Sequence, residues 1–199
     1  SMATRGHLGG LARTTGDAVL VLDAAGKEII VIETVGVGQD EIDIARLAHT
    51  TVVVLVPGMG DDIQAIKAGI LEVADIFAVN KADLDGADRV VRELAGMLEL
   101  RHAVQTVGNH DANHRPVPSR VEGPSGGAEA SADEWEPPIQ KVIAARDQHV
   151  DQLVAAIERH RAWLERTGNR RRREEARAGV QFVALLRDRL LQAGLARLE

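Results

Sequence analysis

The sequence predicts an α/β fold, a doubly wound and mostly parallel sheet with a helical arm behind it. Two patterns carry that expectation. Through the first 145 residues, short apolar runs rich in β-branched side chains alternate with amphipathic stretches. Runs that are apolar on both faces suit parallel strands buried between helices. Beyond Asp147 the strand-like runs stop, and helical spacing continues to the end.

In chain order, Thr14 or Thr15 is placed to cap a first helix through about Ala25, closed by Gly26. Ile29-Ile30-Val31-Ile32 is the first expected strand and leads into Glu33-Thr34-Val35-Gly36. Residues 40–48 form a helix with Ile44, Leu47 and Ala48 on one face. Thr51-Val52-Val53-Val54-Leu55-Val56 is the second strand and stops at Pro57-Gly58. A helix over 61–74 places Ile63, Ile66, Ile70 and Val73 together. Ile76-Phe77-Ala78-Val79 is the third strand, and a helix over 88–100 follows with Val91, Leu94 and Leu98 aligned. A weaker strand, 139–145, follows Pro137-Pro138.

Residues 105–138 break the alternation. From Asn109 to Pro138 there are five prolines and three glycines, so a flexible surface loop is expected. His110, Asp111 and His114 could suggest a metal, but Pro116 and Pro118 argue against the helix that would align the two imidazoles. A solvated loop is the better reading. Past it, Val150, Leu153, Val154, Ile157 and Leu164 share a helical face. Gly168-Asn169 interrupts, and a last helix carries Val180, Val183, Leu186, Leu190 and Leu191 at helical spacing. That stripe must bury itself on the body or on a partner subunit.

Charge divides the chain in the same place. Residues 158–199 hold 11 arginines against 6 acids, which leaves 13 bases against 24 acids in residues 1–157. An acidic body with a basic tail is not the footprint of a nucleic-acid binder. Arg170 to Arg173 is followed at once by Glu174 and Glu175, so a solvated or inter-subunit charged face is expected there. No apolar run reaches the roughly 18 residues of a membrane span. The absence of cysteine excludes disulfides and thiolate metal sites and fits a cytoplasmic setting. Ser1-Met2-Ala3-Thr4-Arg5 lacks the apolar core of a secretory signal, and a Ser ahead of Met reads as a cleavage scar.

Two segments carry chemistry. Asn80-Lys81-Ala82-Asp83 closes a buried strand and precedes a helix. An ionised Asp accepts only, so it can take the adjacent N1 and N2 donors of guanine, a pair that adenine does not offer. The Asn can hold the loop and meet the N7 side, while the Lys stem lies across the base. Glu33-Thr34-Val35-Gly36-Val37-Gly38-Gln39 also follows a strand. A carboxylate there can hold a Mg²⁺-bound water, and the glycines let a backbone amide approach a γ-phosphate. Gln39 is a candidate to orient an attacking water.

These residues resemble the MeaB/ArgK family of P-loop GTPases, which includes MMAA-like proteins. Leu8-Gly9-Gly10-Leu11-Ala12, the stretch Pro57-Gly58-Met59-Gly60-Asp61-Asp62-Ile63-Gln64-Ala65-Ile66-Lys67-Ala68-Gly69-Ile70 and Trp135-Glu136-Pro137-Pro138 are each similar to family segments. The resemblance implies a GTPase that chaperones adenosylcobalamin-dependent methylmalonyl-CoA mutase or a related mutase. By position it implies guanine recognition by Asn80, Lys81 and Asp83, with Glu33 toward Mg²⁺ and Gly36 and Gln39 in the catalytic switch. The family's base-contacting Ser-Ala aligns to Ile143-Ala144, where the Ala144 backbone amide remains. It further implies a partial G domain over 1–146, with 105–138 as its loop, and a homodimerising arm over 147–199.

Departures from the family shape the expectation. The only Gly-Lys is Gly26-Lys27, followed by Glu28, with Val21 where the first P-loop glycine should stand. Since phosphate and Mg²⁺ contacts supply most of the affinity, this chain alone is expected to bind GTP or GDP weakly and not to hydrolyse it usefully. Without a phosphate-loop strand, the strand at 29–32 is expected to be an open edge, prone to swapping or dimer pairing. A different reading is a non-hydrolysing interaction module from a truncated or split gene. A transport-coupled kinase has no support in these residues.

Overall fold

The computed structural model describes residues 10–34, 40–58, 68–111 and 134–195. Their elements run α1 (Gly10–Ala24), α2 (Asp40–Ala45), β1 (Val52–Leu55), α3 (Ala68–Val73), β2 (Ile76–Val79), α4 (Ala87–Asp111), β3 (Ile139–Lys141), a 3-10 turn (Ala144–Arg146), α5 (Val150–Thr167) and α6 (Asn169–Leu195). The chain divides into two compact units, residues 52–157 and residues 1–51 with 158–199.

The first unit is the expected α/β layer. Three parallel strands stand in the order β1-β2-β3, with Val52 opposite Ile76 and Phe77 opposite Ile139. Central β2 has all four residues buried, as an apolar run with no polar face demands. Against it lies α4, whose Ala87, Val90 and Leu94 form the core with Ala74, Phe77 and Val79. Those helix positions are three, four and seven residues apart, which places them on one stripe. Trp135 donates from Nε1 to the Asp75 carbonyl at 2.7 Å, tying the Trp-Glu-Pro-Pro segment to the start of β2. At the other end of the sheet, Lys141 Nζ donates to Asp88 at 3.0 Å and holds that carboxyl below its ordinary range.

Several expectations change. Residues 29–32 form no strand: Ile29 is 80% and Val31 86% exposed, and the run carries no regular structure. β-branched residues become a strand only where a ladder partner and a covering face exist, and this segment has neither among the described residues. Among the described residues the edges of the sheet are β1, where Val54 is 58% exposed, and β3. Helix α4 runs eleven residues past the expected end, to Asp111, passing through Gly96 and Gly108, and the sequence holds no proline between Ala87 and Pro116. The expected loop therefore begins later than residue 105; residues 112–133, including His114, lie outside the described residues. Helix α1 starts at Gly10 rather than at a threonine cap, and Thr15 is buried inside it.

In the second unit the loop after α2 is fastened to α6. Arg173 Nη1 donates to the His49 carbonyl at 2.9 Å, and Arg177 donates to the Leu47 carbonyl. A Cβ on Gly16 of α1 would lie 3.3 Å from Gln181 of α6 and 3.7 Å from Leu47, so a small residue suits this crossing. Thr50 Oγ1 hydrogen-bonds His160 Nδ1 at 2.9 Å, and the His160 ring stacks on Trp163. Within the arginine run, Arg170 pairs with Glu165 and Glu174, and Arg171 pairs with Glu175.

His49 Nε2 lies 3.1 Å from Glu174 Oε1 in the same cluster. Burial first, and then the Arg177 and Arg170 charges, hold His49 below its ordinary value, with Glu174 pulling the other way. A depressed imidazole costs nothing while it is neutral in both states. As pH falls below about 6.5, the unfolded chain takes up the proton first and stability is lost. Denaturation midpoints at pH 7.5 and 5.5 should therefore fall further for the wild type than for His49→Gln. Equal falls would remove His49 from this role.

Candidate functional site

Strand β2 delivers Asn80 to the carboxyl end of the sheet, where α/β folds gather their ligand sites. The Asn80 N–H donates to the Leu55 carbonyl at 2.8 Å, and the Ala82 N–H to the Val142 carbonyl at 3.1 Å. Both neighbouring strands thus hold the loop. Asn80 Oδ1 accepts twice, from the Lys81 N–H at 2.8 Å and the Ala144 N–H at 3.1 Å. With the oxygen so used, the donor Nδ2 is the atom left for an acceptor such as purine N7.

Facing this loop is a second one. Ile143 and Gln148 exchange backbone hydrogen bonds at 3.0 and 3.2 Å around the 3-10 turn at Ala144–Arg146. Closing so few residues requires left-handed backbone: Asp147 sits at φ 54 and His149 at φ 62. Lys81 opposite also sits at φ 54. Of these left-handed residues, Lys81 lines the recess between the loops and Asp147 directly follows Arg146, which lines it too. Such strain costs about 1–3 kcal/mol per residue and gathers at functional sites.

Those loops enclose about 250 Å³, lined by Asn80, Lys81, Asp83, Leu84, Ile143, Ala145 and Arg146. Pockets for drug-sized ligands start near ~300 Å³, so this recess suits a base rather than a whole nucleotide. Leu84 and Ile143 offer apolar contact, and Asp83 offers an acceptor-only edge. Arg146 Nη2 lies 3.3 Å from Asp83 Oδ2.

The turn's strain supports a direct test. Asp147→Val puts a β-branched residue at positive φ and is expected to cost roughly 1–2 kcal/mol, whereas Asp147→Gly should cost almost nothing. Urea denaturation compares them. Equal losses would show that the turn does not require left-handed backbone.

The structure brings Asn80, Lys81, Asp83 and Ala144 together. Ala144 enters differently from its expected role, because its amide is engaged by Asn80 rather than offered to a ligand. Glu33 is exposed and belongs to the other unit, while Gly36 and Gln39 lie outside the described residues. Mg²⁺ is commonly held by one or two carboxylates together with substrate phosphates. Among the described residues no cluster of three or more acids or histidines is placed to hold a metal ion. Arg146 escaped sequence reading, since no motif marks it and only the closed turn sets it against Asp83.

A family model described as "Methylmalonyl Co-A mutase-associated GTPase MeaB" matches residues 1–199. The chain belongs to the MeaB family. Its relatives include a "Putative GTPase" of Pyrococcus abyssi, 42% identical over 187 residues, covering 94% of this chain and 50% of that protein. "GTPase ArgK" of Escherichia coli is 42% identical over 85 residues, 43% of this chain and 26% of the relative. The mouse "Methylmalonic aciduria type A homolog, mitochondrial" is 43% identical over 100 residues, 49% of this chain and 24% of that protein. A solved "LAO/AO transport system kinase" superposes with a TM-score of 0.65 at 22% identity, over 92% of this MeaB-family chain and 50% of the other. That likeness shows a shared α/β fold. The MeaB-family chain spans about half the length of the curated relatives first matched. No described helix is long and apolar enough to cross a membrane.

Proposed function

We propose that this chain carries the guanine-recognising part of a GTPase that attends an adenosylcobalamin-dependent mutase, methylmalonyl-CoA mutase or a relative of it. The observation that carries the reading is Asn80-Lys81-Ala82-Asp83 at the carboxyl end of β2, facing a base-sized recess. Asn80 braces the two loops, Asp83 takes the N1 and N2 donors, and Lys81 covers the base. Glu33 belongs with Mg²⁺, and Gly36 and Gln39 with the γ-phosphate and the attacking water. The family's description, which names methylmalonyl-CoA mutase, supports the mutase as partner.

Alone, the chain has no Gly-Lys-Ser/Thr segment to cradle phosphates, so binding rests on the base and is weak. Guanosine and GDP should bind with similar, roughly millimolar constants, a range that one small contact set reaches. Adenosine should bind more weakly. Calorimetry or ligand-observed NMR checks this, and a chain that does not distinguish the two nucleosides would remove the base site. We place the protein in the cytoplasm, on its lack of cysteine. The intrachain pairing of Arg170 and Arg171 keeps nucleic acid out of the proposed partners.

The arm supports a second reading. On α6, Val180, Phe182, Val183, Leu186, Leu190 and Leu191 are exposed by 47 to 72%. So long an apolar stripe calls for an apolar cover, and we propose that a second copy supplies it, making a homodimer through the C-terminal helices. A dimer serving only to hold the mutase, without hydrolysis, is the alternative function.

A further inference from the structure

Resting on the guanine reading of Asp83, we propose that Arg146 is a built-in competitor for that carboxylate and so sets how tightly the recess takes guanine. Arg146 ends the 3-10 turn that the Ile143–Gln148 pairing closes, and its side chain lines the same recess as Asp83. Its Nη2 stands 3.3 Å from Asp83 Oδ2. The chemistry of the two claimants is alike. A guanidinium presents a planar fork of N–H donors to a carboxylate. The N1–C2–N2 edge of guanine presents the same fork without the charge. Asp83 lines the recess, and its Oδ2 already lies against the Arg146 guanidinium.

Exposure decides that this contact yields. The Arg146 side chain is 63% exposed and that of Asp83 30%, so the pair is a solvent-screened one. Guanine does not have to break a buried salt bridge. It has to displace a weak one, and its apparent affinity falls by the corresponding factor. Adenine, which offers no N1–H/N2–H pair, gains nothing when Arg146 is removed.

Guanosine is the probe, because it carries no phosphate for an arginine to attract. Arg146→Ala and Arg146→Gln are compared with the wild type, the second keeping a polar side chain while losing charge. Both should bind guanosine roughly two- to fivefold more tightly, the range in which exposed ion pairs act. Adenosine should bind all three alike, and added salt should narrow the gap for guanosine. If the wild type prefers guanosine over adenosine but both variants bind it equally well or less well, the competitor role is overturned and the guanine site stands. If no chain distinguishes the two nucleosides, the guanine site fails, and the competitor role fails with it.

Discussion

Asp83→Asn is expected to turn the base preference from guanine to xanthine. The ionised carboxylate can accept from both N1 and N2 of guanine. An amide keeps one acceptor and replaces the other with a donor. Facing guanine, that donor meets the N2 donor, so one hydrogen bond is lost and two N–H groups confront each other. Xanthine carries a carbonyl at C2, and the amide donor meets it. Hydrogen bonds to charged groups contribute about 1.5–3 kcal/mol, so the ratio of guanosine to xanthosine affinity should fall by roughly 10- to 100-fold or more. The substitution also frees Arg146, but that exposed pair contributes little to stability, so the fold should persist. NMR titration of both nucleosides reads the ratio. A variant that keeps the wild-type preference would place guanine recognition elsewhere.

The second large effect concerns the arm. Leu186→Lys combined with Leu190→Lys puts two charges into the exposed stripe of α6, at positions four residues apart on one face. Burying a large apolar side chain contributes about 1.5–3 kcal/mol, so removing two should weaken a dimer by roughly 10²- to 10⁴-fold. Sedimentation should show a dimeric wild type and a monomeric variant with the same helical circular dichroism. A monomeric wild type, or a variant that still dimerises, would exclude this face as the interface. Because both positions are exposed in the single chain, loss of folding is not the expected outcome.

Legibility in the sequence followed burial. β2 is Ile76–Val79 at the expected bounds, because a run with no polar side chain has no water-facing option. The stop at Gly26 and the break at Gly168 were legible as well, and both glycines have positive φ. Residues 29–32 carry the same β-branched signal as β1, yet they make no ladder. Strand propensity describes fitness for a sheet, and a partner has to be present for it to count. Helix α4 outran its expected end because its apolar stripe fades before its backbone does.

For the candidate site, Asn80, Lys81 and Asp83 could be named from chemistry and spacing alone, since four consecutive residues carry the donors and acceptors. Asn80's link to the Ala144 amide spans 64 residues, and no local pattern encodes it. The sequence by itself determined the parallel α/β layer, the acceptor-only Asp83 beyond β2 and the apolar stripe of the last helix. All three rest on short-range periodicity or on contiguous side chains. Only the tertiary structure decided which apolar runs became strands, and which cation faces Asp83. Those outcomes depend on what the folded chain sets beside each group, and a hydrogen bond or a ladder needs both of its partners.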